Sequence, residues 1–320
     1  MPTENTTKQK ILALLIVVFL FSFVGTVFFT ISINNRNKTA ALRAEVLKVR
    51  KEKEMMNKLA RISIATSTLF GLTSKSYLTI AITDNGLKKI LDEKNSNLVL
   101  PIASITKLMV ALVTLENIKP DAEIIATANY IGGEESFFVL EADKTYTVKE
   151  LLTDMLVSSD NDSARLLSSI LGEANFIAKM NQKAADLGMT QTKYVNVTGL
   201  DPKEITANLN TSTVSDLAKL IIYIKNNYPQ IFKLSANDQY SFCDVKLFCK
   251  PIINTNKLFT DPDFKFKILG SKTGSTDLAL KNLVLMISPV EDVTIISIVL
   301  GSEDNFADTK SLINHLLINN

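Results

Sequence analysis

Residues 101–109 of this 320-residue chain read PIASITKLM, which sets Ser104 three positions before Lys107 at the mouth of an apolar run. Residues i and i+3 share one face of a helix, so hydroxyl and amine would stand side by side. A serine hydroxyl is a poor nucleophile until a base takes its proton. Lysine can be that base only if burial or a second cation lowers its pKa. The N-terminal end of a helix also places positive potential where an oxyanion would develop. The same residues describe an ordinary helix start, and Ser-x-x-Lys alone does not decide between the two.

Two further stretches carry groups of the same chemistry. Residues 158–162 read SSDND, with Ser159-Asp160-Asn161 in a break between helical runs. Residues 270–276 read GSKTGST, with Lys272, Thr273, Gly274, Ser275 and Thr276 on an expected strand. Taken singly, the first is a solvated interhelical loop and the second a strand entering a turn. Together, in this order and with wide spacing, the three are far harder to obtain by chance.

The elements that must position them follow from periodicity. SYLTIAITDNG followed by LKKILDEKN reads as two strands joined at Asp84-Asn85-Gly86, a strong hairpin signal. Leu108, Ala111, Leu112 and Leu115 recur at helical spacing behind Pro101. Residues 147–157 read as a second helix, and residues 211–225 as an amphipathic helix with Thr or Ser at its N-cap. FKILGSKTG, LKNLVLMISP and VTIISIVLGS have strand character, and FADTKSLINHLLI reads as a closing helix. Strands at both ends with helices between them predict an α+β domain whose sheet draws on both ends of the chain.

The net charge of +2 leaves no nucleic-acid footprint in the totals. One histidine, His315, excludes most histidine triads and multi-histidine metal sites. Cys243 and Cys249, six positions apart in CDVKLFC, either close across a short hairpin in an oxidising compartment or remain free thiols.

Residues 11–33, ILALLIVVFLFSFVGTVFFTISI, carry no charge and are long enough to span a bilayer. The expected organisation is a cytoplasmic tail (1–10), a retained transmembrane helix (11–33), a charged helical stalk (34–62) and a catalytic domain (63–320). Lys8 and Lys10 precede the span, whereas Arg36, Lys38, Arg43, Lys48 and Arg50 follow it. Charge bias alone would therefore place the domain in the cytoplasm.

Ser-x-x-Lys, Ser-x-Asn and Lys-Thr-Gly in series define the penicillin-recognising serine enzymes. The chain resembles that superfamily, and within it the D-alanyl-D-alanine carboxypeptidases of the low-molecular-mass penicillin-binding type, over roughly residues 77–317. TVKELLTDMLVSSDNDSARLL, MNQKAADLGMTQTKYVNVTGLD, TSTVSDLAKL and NTNKLF carry the resemblance beyond the three motifs. It implies an antiparallel sheet flanked by helices, with an all-α subdomain and the active site in the cleft between them. It implies Ser104 as nucleophile, Lys107 as its base and Ser159 as proton relay. Asn161 would orient the substrate, and Lys272, Thr273 and Thr276 would meet its carboxylate. The N–H groups of Ser104 and Ser275 would form the oxyanion hole beside Gly274. No metal or organic cofactor is implied. The implied substrate is a peptidoglycan stem peptide ending in D-Ala-D-Ala, with β-lactams as inhibitors. Such peptides are trimmed outside the cytoplasmic membrane, so the implied location is a single-pass membrane protein with an extracytoplasmic catalytic domain, against the charge bias.

Asp160 stands where that family usually has Gly, Ala279-Leu280 where it often has Ala-Gly, and Asn210-Thr211 where it has His-Tyr. Class A β-lactamases share Ser-Asp-Asn but need a glutamate in a Glu-x-x-Leu-Asn segment. Here Thr206 stands three residues before Leu209-Asn210, which argues against a lactamase. Two more functions fit the same fold: a D,D-endopeptidase and a non-catalytic wall-binding protein.

Overall fold

The computed structural model describes residues 4–61, 71–133, 140–204 and 208–317. It divides into two units, Met1–Asn57 and Lys58–Asn320. Helix α1 (Glu4–Arg61) runs for 58 residues. Its 34–61 portion contains neither Gly nor Pro, so nothing in it breaks the hydrogen-bond ladder. Most side chains of 11–33 lie outside the described residues, as does the expected domain start at residue 63. Among the described residues no helix is long and apolar enough to cross a membrane.

In the second unit the chain passes through β1 (Ser76–Thr83), β2 (Lys88–Lys94), β3 (Leu100–Pro101), α2 (Thr106–Asn117), β4 (Glu123–Ile125) and β5 (Thr145–Thr147). Three helices follow, α3 (Val148–Val157), α4 (Asn161–Ser169) and α5 (Glu173–Asp186), then β6 (Thr211–Ser212), α6 (Val214–Asn227) and α7 (Gln230–Leu234). The hairpin β7 (Gln239–Cys243) and β8 (Cys249–Ile253) leads to β9 (Lys267–Thr276), β10 (Leu280–Val290), β11 (Val293–Ser302) and α8 (Asn305–Leu317). The main sheet is antiparallel, in the order β2-β1-β11-β10-β9. First and last strands thus pair at its centre, as the apolar patterning at both ends predicts.

The nearly continuous apolar run of β11 has a physical reason. Every residue of β1 and β11 is buried, because both faces of the sheet are covered. Leu78, Ile80, Val284, Met286, Ile296 and Ile298 turn to one face and join the core formed with α2, α3 and α6. Ala81, Leu283, Leu285 and Ile295 turn to the other and meet Ile313 and Leu316 of α8.

Two local features aim the site. The helix expected at 211–225 begins only at Val214, where the Thr213 side chain accepts from Asp216 N. Thr211 and Ser212 are extended instead and pair with Pro101 and Leu100, which pins the chain just before Ser104. Between α3 and α4 the helix breaks at Ser159, whose φ is +67°, and restarts with Asp160 as N-cap accepting from Ser163 N at 2.8 Å. Cys243 and Cys249 are direct partners across the β7–β8 hairpin and form a disulfide, which settles the choice left open by their spacing.

Candidate active site

Ser104 sits in a 3-10 turn, Ala103–Ile105, immediately before α2. Ala103 has φ +47°, a left-handed conformation costly for a residue with a Cβ, and it swings the chain so that Ser104 faces a cleft. Lys107, one turn later, is wholly buried. Its Nζ lies 2.7 Å from Ser104 Oγ, 2.6 Å from Asn161 Oδ1 and 3.1 Å from the Thr198 carbonyl oxygen. A neutral amine in this place can give its two protons to the two carbonyl oxygens and turn its lone pair to the serine O–H. The side-by-side placement expected from the i, i+3 spacing is realised, and Asn161 joins it from the start of α4.

The third motif arrives on β9. Lys272 Nζ donates to Ser159 Oγ at 2.7 Å and to the Thr273 carbonyl at 2.9 Å. Lys272 is only 1% exposed. Burial, and then the neighbouring Lys107, hold its pKa well below that of an ordinary lysine. The two lysines are therefore coupled groups on either side of the Ser159–Asn161 turn.

The cleft has a volume of about 300 Å³, and Ser104, Ser159, Asn161, Thr273, Gly274 and Ser275 all line it. Two residues expected at a substrate carboxylate have partners within the protein. Lys272 is turned inward onto Ser159. Thr276 donates its hydroxyl to Asp201 Oδ1 at 2.7 Å, so that proton is spent on bracing the turn after β9. Thr255 contributes a hydroxyl instead, 2.5 Å from Thr273 Oγ1. It stands in the NTNKLF stretch, whose motif signalled a site but gave no role to this residue. The Thr198 carbonyl was also not foreseen: a backbone acceptor has no residue-type signature. Lys281, Asn305 and Phe306, which complete the cleft wall, lie outside all three motifs.

Close backbone approach explains two glycines. A Cβ on Gly199, whose φ is +84°, would fall 2.0 Å from the Ala103 carbonyl oxygen, and one on Gly274 would fall 3.0 Å from Ser104 N. Behind them, buried Asn210 accepts from Val195 N at 2.7 Å and donates to Thr106 Oγ1 at 2.9 Å, tying the Thr198 turn to the first residue of α2.

The family model of D-alanyl-D-alanine carboxypeptidases matches residues 64–304. The chain belongs to this family. A D-alanyl-D-alanine endopeptidase of Haemophilus influenzae is 36% identical over 221 residues, which is 67% of this chain and 70% of that one. A D-alanyl-D-alanine carboxypeptidase of Mycobacterium tuberculosis is 29% identical over 210 residues, 64% of this chain and 67% of the relative. Among solved structures, a penicillin-binding protein of Listeria monocytogenes in its ampicillin-bound form superposes with a TM-score of 0.66 at 27% identity, covering 78% of this chain and 99% of that chain. The α+β architecture of this family member is thus that of the penicillin-binding proteins.

Proposed function

We propose that the protein is a serine D,D-peptidase that removes the terminal D-Ala from peptidoglycan stem peptides through an acyl-enzyme on Ser104. The observation that carries this reading is the 2.7 Å contact between Lys107 Nζ and Ser104 Oγ in a buried pocket that opens onto the cleft. Lys107 takes the hydroxyl proton as Oγ attacks the carbonyl of the D-Ala-D-Ala bond. The resulting oxyanion is met by the N–H groups of Ser104 and Ser275. The proton taken by Lys107 is returned by way of the Ser159 hydroxyl, held by Lys272, to the leaving amine, so the C–N bond breaks, D-Ala departs and Lys107 is neutral again. Water then attacks the ester, Lys107 takes its proton, and that proton returns to Ser104 Oγ as the acid leaves. Asn161 holds the Lys107 amine in place, while Gly274 admits the substrate backbone against Ser104.

β-Lactams present the same carbonyl in a strained ring and acylate the same hydroxyl. The test is mass spectrometry of the full chain with benzylpenicillin and with a stem peptide ending in D-Ala-D-Ala. A penicilloyl adduct on Ser104 and loss of one alanine are expected, and absence of both overturns the reading. The endopeptidase name of the Haemophilus relative favours a second reading, cleavage at a cross-link. The chemistry is identical and only the leaving amine differs, so turnover of cross-linked dimers in preference to pentapeptide would select it.

This reading also proposes that 11–33 anchors the chain in the membrane, with 34–62 as a stalk and the catalytic domain outside the cytoplasm. The Cys243–Cys249 disulfide supports an oxidising compartment, as does the location of the substrate. A reporter active only outside the cytoplasm, fused after Asn320, is expected to be active. An inactive fusion overturns the placement.

A further inference from the structure

A D,D-peptidase of the kind proposed above must recognise a leaving residue that carries a carboxylate, and that charge needs a cation at the surface of the cleft. Lys107 and Lys272 do not supply it. Both are buried, and each ammonium position is turned onto neighbouring polar atoms: Lys107 onto Ser104, Asn161 and Thr198, and Lys272 onto Ser159 and Thr273. Among the described residues that line the cleft, only Lys281 has a cationic side chain.

Lys281 is placed for the task by strand register. It lies on β10 directly opposite Ser275 of β9, and Thr273 is two positions further along β9. Its side chain is exposed. Among the described residues no carboxylate lies within ion-pair distance of its ammonium. Asp261 pairs with Lys310 at 2.8 Å, and Asp304 accepts from Phe306 N at 3.2 Å and Ala307 N at 3.1 Å at the start of α8. Beside it, Asn305 is 3% exposed, and its Oδ1 is buried without a hydrogen-bond partner, while its Nδ2 donates to the Asn282 carbonyl at 2.8 Å. Lys281 and Phe306 also line a second depression of about 390 Å³ that adjoins the cleft, together with Lys257, Lys310, Asp261 and Asp304.

We infer that Lys281 is the carboxylate anchor of the substrate cleft, binding the α-carboxylate of the residue that leaves from the acyl-enzyme. The Thr255–Thr273 hydroxyl pair and Ser275 would complete the anion's hydrogen bonds, while Lys281 neutralises its charge. The depression beyond Lys281 leaves room for a leaving residue larger than alanine, as a cross-linked peptide would present. The anchor therefore serves the terminal substrate, and also a cross-link whose leaving amine sits on a carboxylate-bearing carbon.

The experiment compares two peptides on the full chain in detergent: a D-Ala-D-Ala stem peptide with a free carboxylate, and its C-terminal carboxamide. Wild type is expected to prefer the acid. In Lys281→Ala the preference should collapse, with kcat/KM for the acid falling about 10- to 100-fold, as for a lost hydrogen bond to a charged group, and mainly through KM. Lys281→Arg should restore most of the preference, which a purely structural role would not predict. An acid-to-amide ratio unchanged in Lys281→Ala overturns the inference, and so does a wild type indifferent to the carboxylate. Failure of benzylpenicillin to acylate wild-type Ser104 is a separate result: it removes the peptidase reading, and the anchor with it.

Discussion

Lys272 Nζ reaches Ser159 Oγ at 2.7 Å across the gap between β9 and the α3–α4 turn, and it does so from an almost fully buried position. This bond joins the sheet to the helical layer at the point where Ser159 adopts a left-handed backbone. The coupling of Lys272 to Lys107 is mutual, since like charges each disfavour the protonation of the other. Changing Lys272 to Ala removes both the support of Ser159 and that repulsion. Acylation by benzylpenicillin should slow by about 100-fold, the scale of a lost proton-transfer partner. Without the neighbouring charge Lys107 keeps its proton to higher pH, so the rising limb of the rate–pH profile should move upward. A series of acylation rates against pH measures both effects, and an unmoved limb would refute the coupling.

The nucleophile and its base are separable from the fold. Ser104→Ala should abolish penicillin labelling while leaving circular dichroism and the unfolding midpoint close to wild type, since the hydroxyl makes only a long 3.4 Å bond to Thr198 O beyond its contact with Lys107. Lys107→Ala should nearly abolish labelling too, because an unactivated hydroxyl reacts slowly. It should also destabilise the domain, as Asn161 Oδ1 and Thr198 O lose a buried donor, at about 1–3 kcal/mol for an unpaired buried polar group. Undiminished labelling of a folded Ser104→Ala variant rejects the mechanism.

Gly199 is a position where function depends on the absence of a side chain. At φ +84° a Cβ would overlap the Ala103 carbonyl group and crowd Ser104 N. The chain must shift away from the nucleophile turn to admit it. Gly199→Ala should cost at least the roughly 1–3 kcal/mol of a left-handed non-glycine residue and slow acylation severely. Thermal unfolding and labelling kinetics check the two effects. A variant with wild-type acylation would show that the Thr198–Gly199 turn does not position Ser104.

These cases also mark what the sequence made legible. The hairpin at Asp84-Asn85-Gly86, the apolar runs of β9 to β11 and the capped helices were readable because each is set by local pattern. Ser104 with Lys107 was readable because i, i+3 spacing fixes a face. The orientation of Lys272 was not, because whether an ammonium points into a cleft or back onto a serine is decided by tertiary packing. The bond from Thr276 to Asp201 was not legible for the same reason: the two residues are 75 apart in the chain. Lys281 had no motif to mark it, and only the register of β10 against β9 brings it to the cleft.

Asp154, on α3 behind the Ser159 turn, gives the last expectation. It is buried, and both Ser158 Oγ and Ser163 Oγ lie 2.6 Å from its carboxyl oxygens, so it clamps the two ends of the turn that carries Ser159 and Asn161. Burial, and then the carboxylate of Asp160, push its pKa up to about 7. An unfolded aspartate ionises near pH 4. Below that value both states hold the proton and the neutral clamp contributes fully to stability. Between about pH 4 and pH 7 the unfolded chain has released its proton and the folded protein has not, so unfolding becomes progressively easier as pH rises, and above about 7 the contribution is lost. Asp154→Asn keeps the shape and cannot titrate. Its unfolding midpoint should therefore fall less than that of wild type between pH 5 and pH 8. Calorimetric scans of both proteins at half-unit steps read the difference directly. Parallel curves across that interval would mean that Asp154 is ionised in the folded protein throughout, and that Ser158 and Ser163 clamp a carboxylate and not a carboxylic acid.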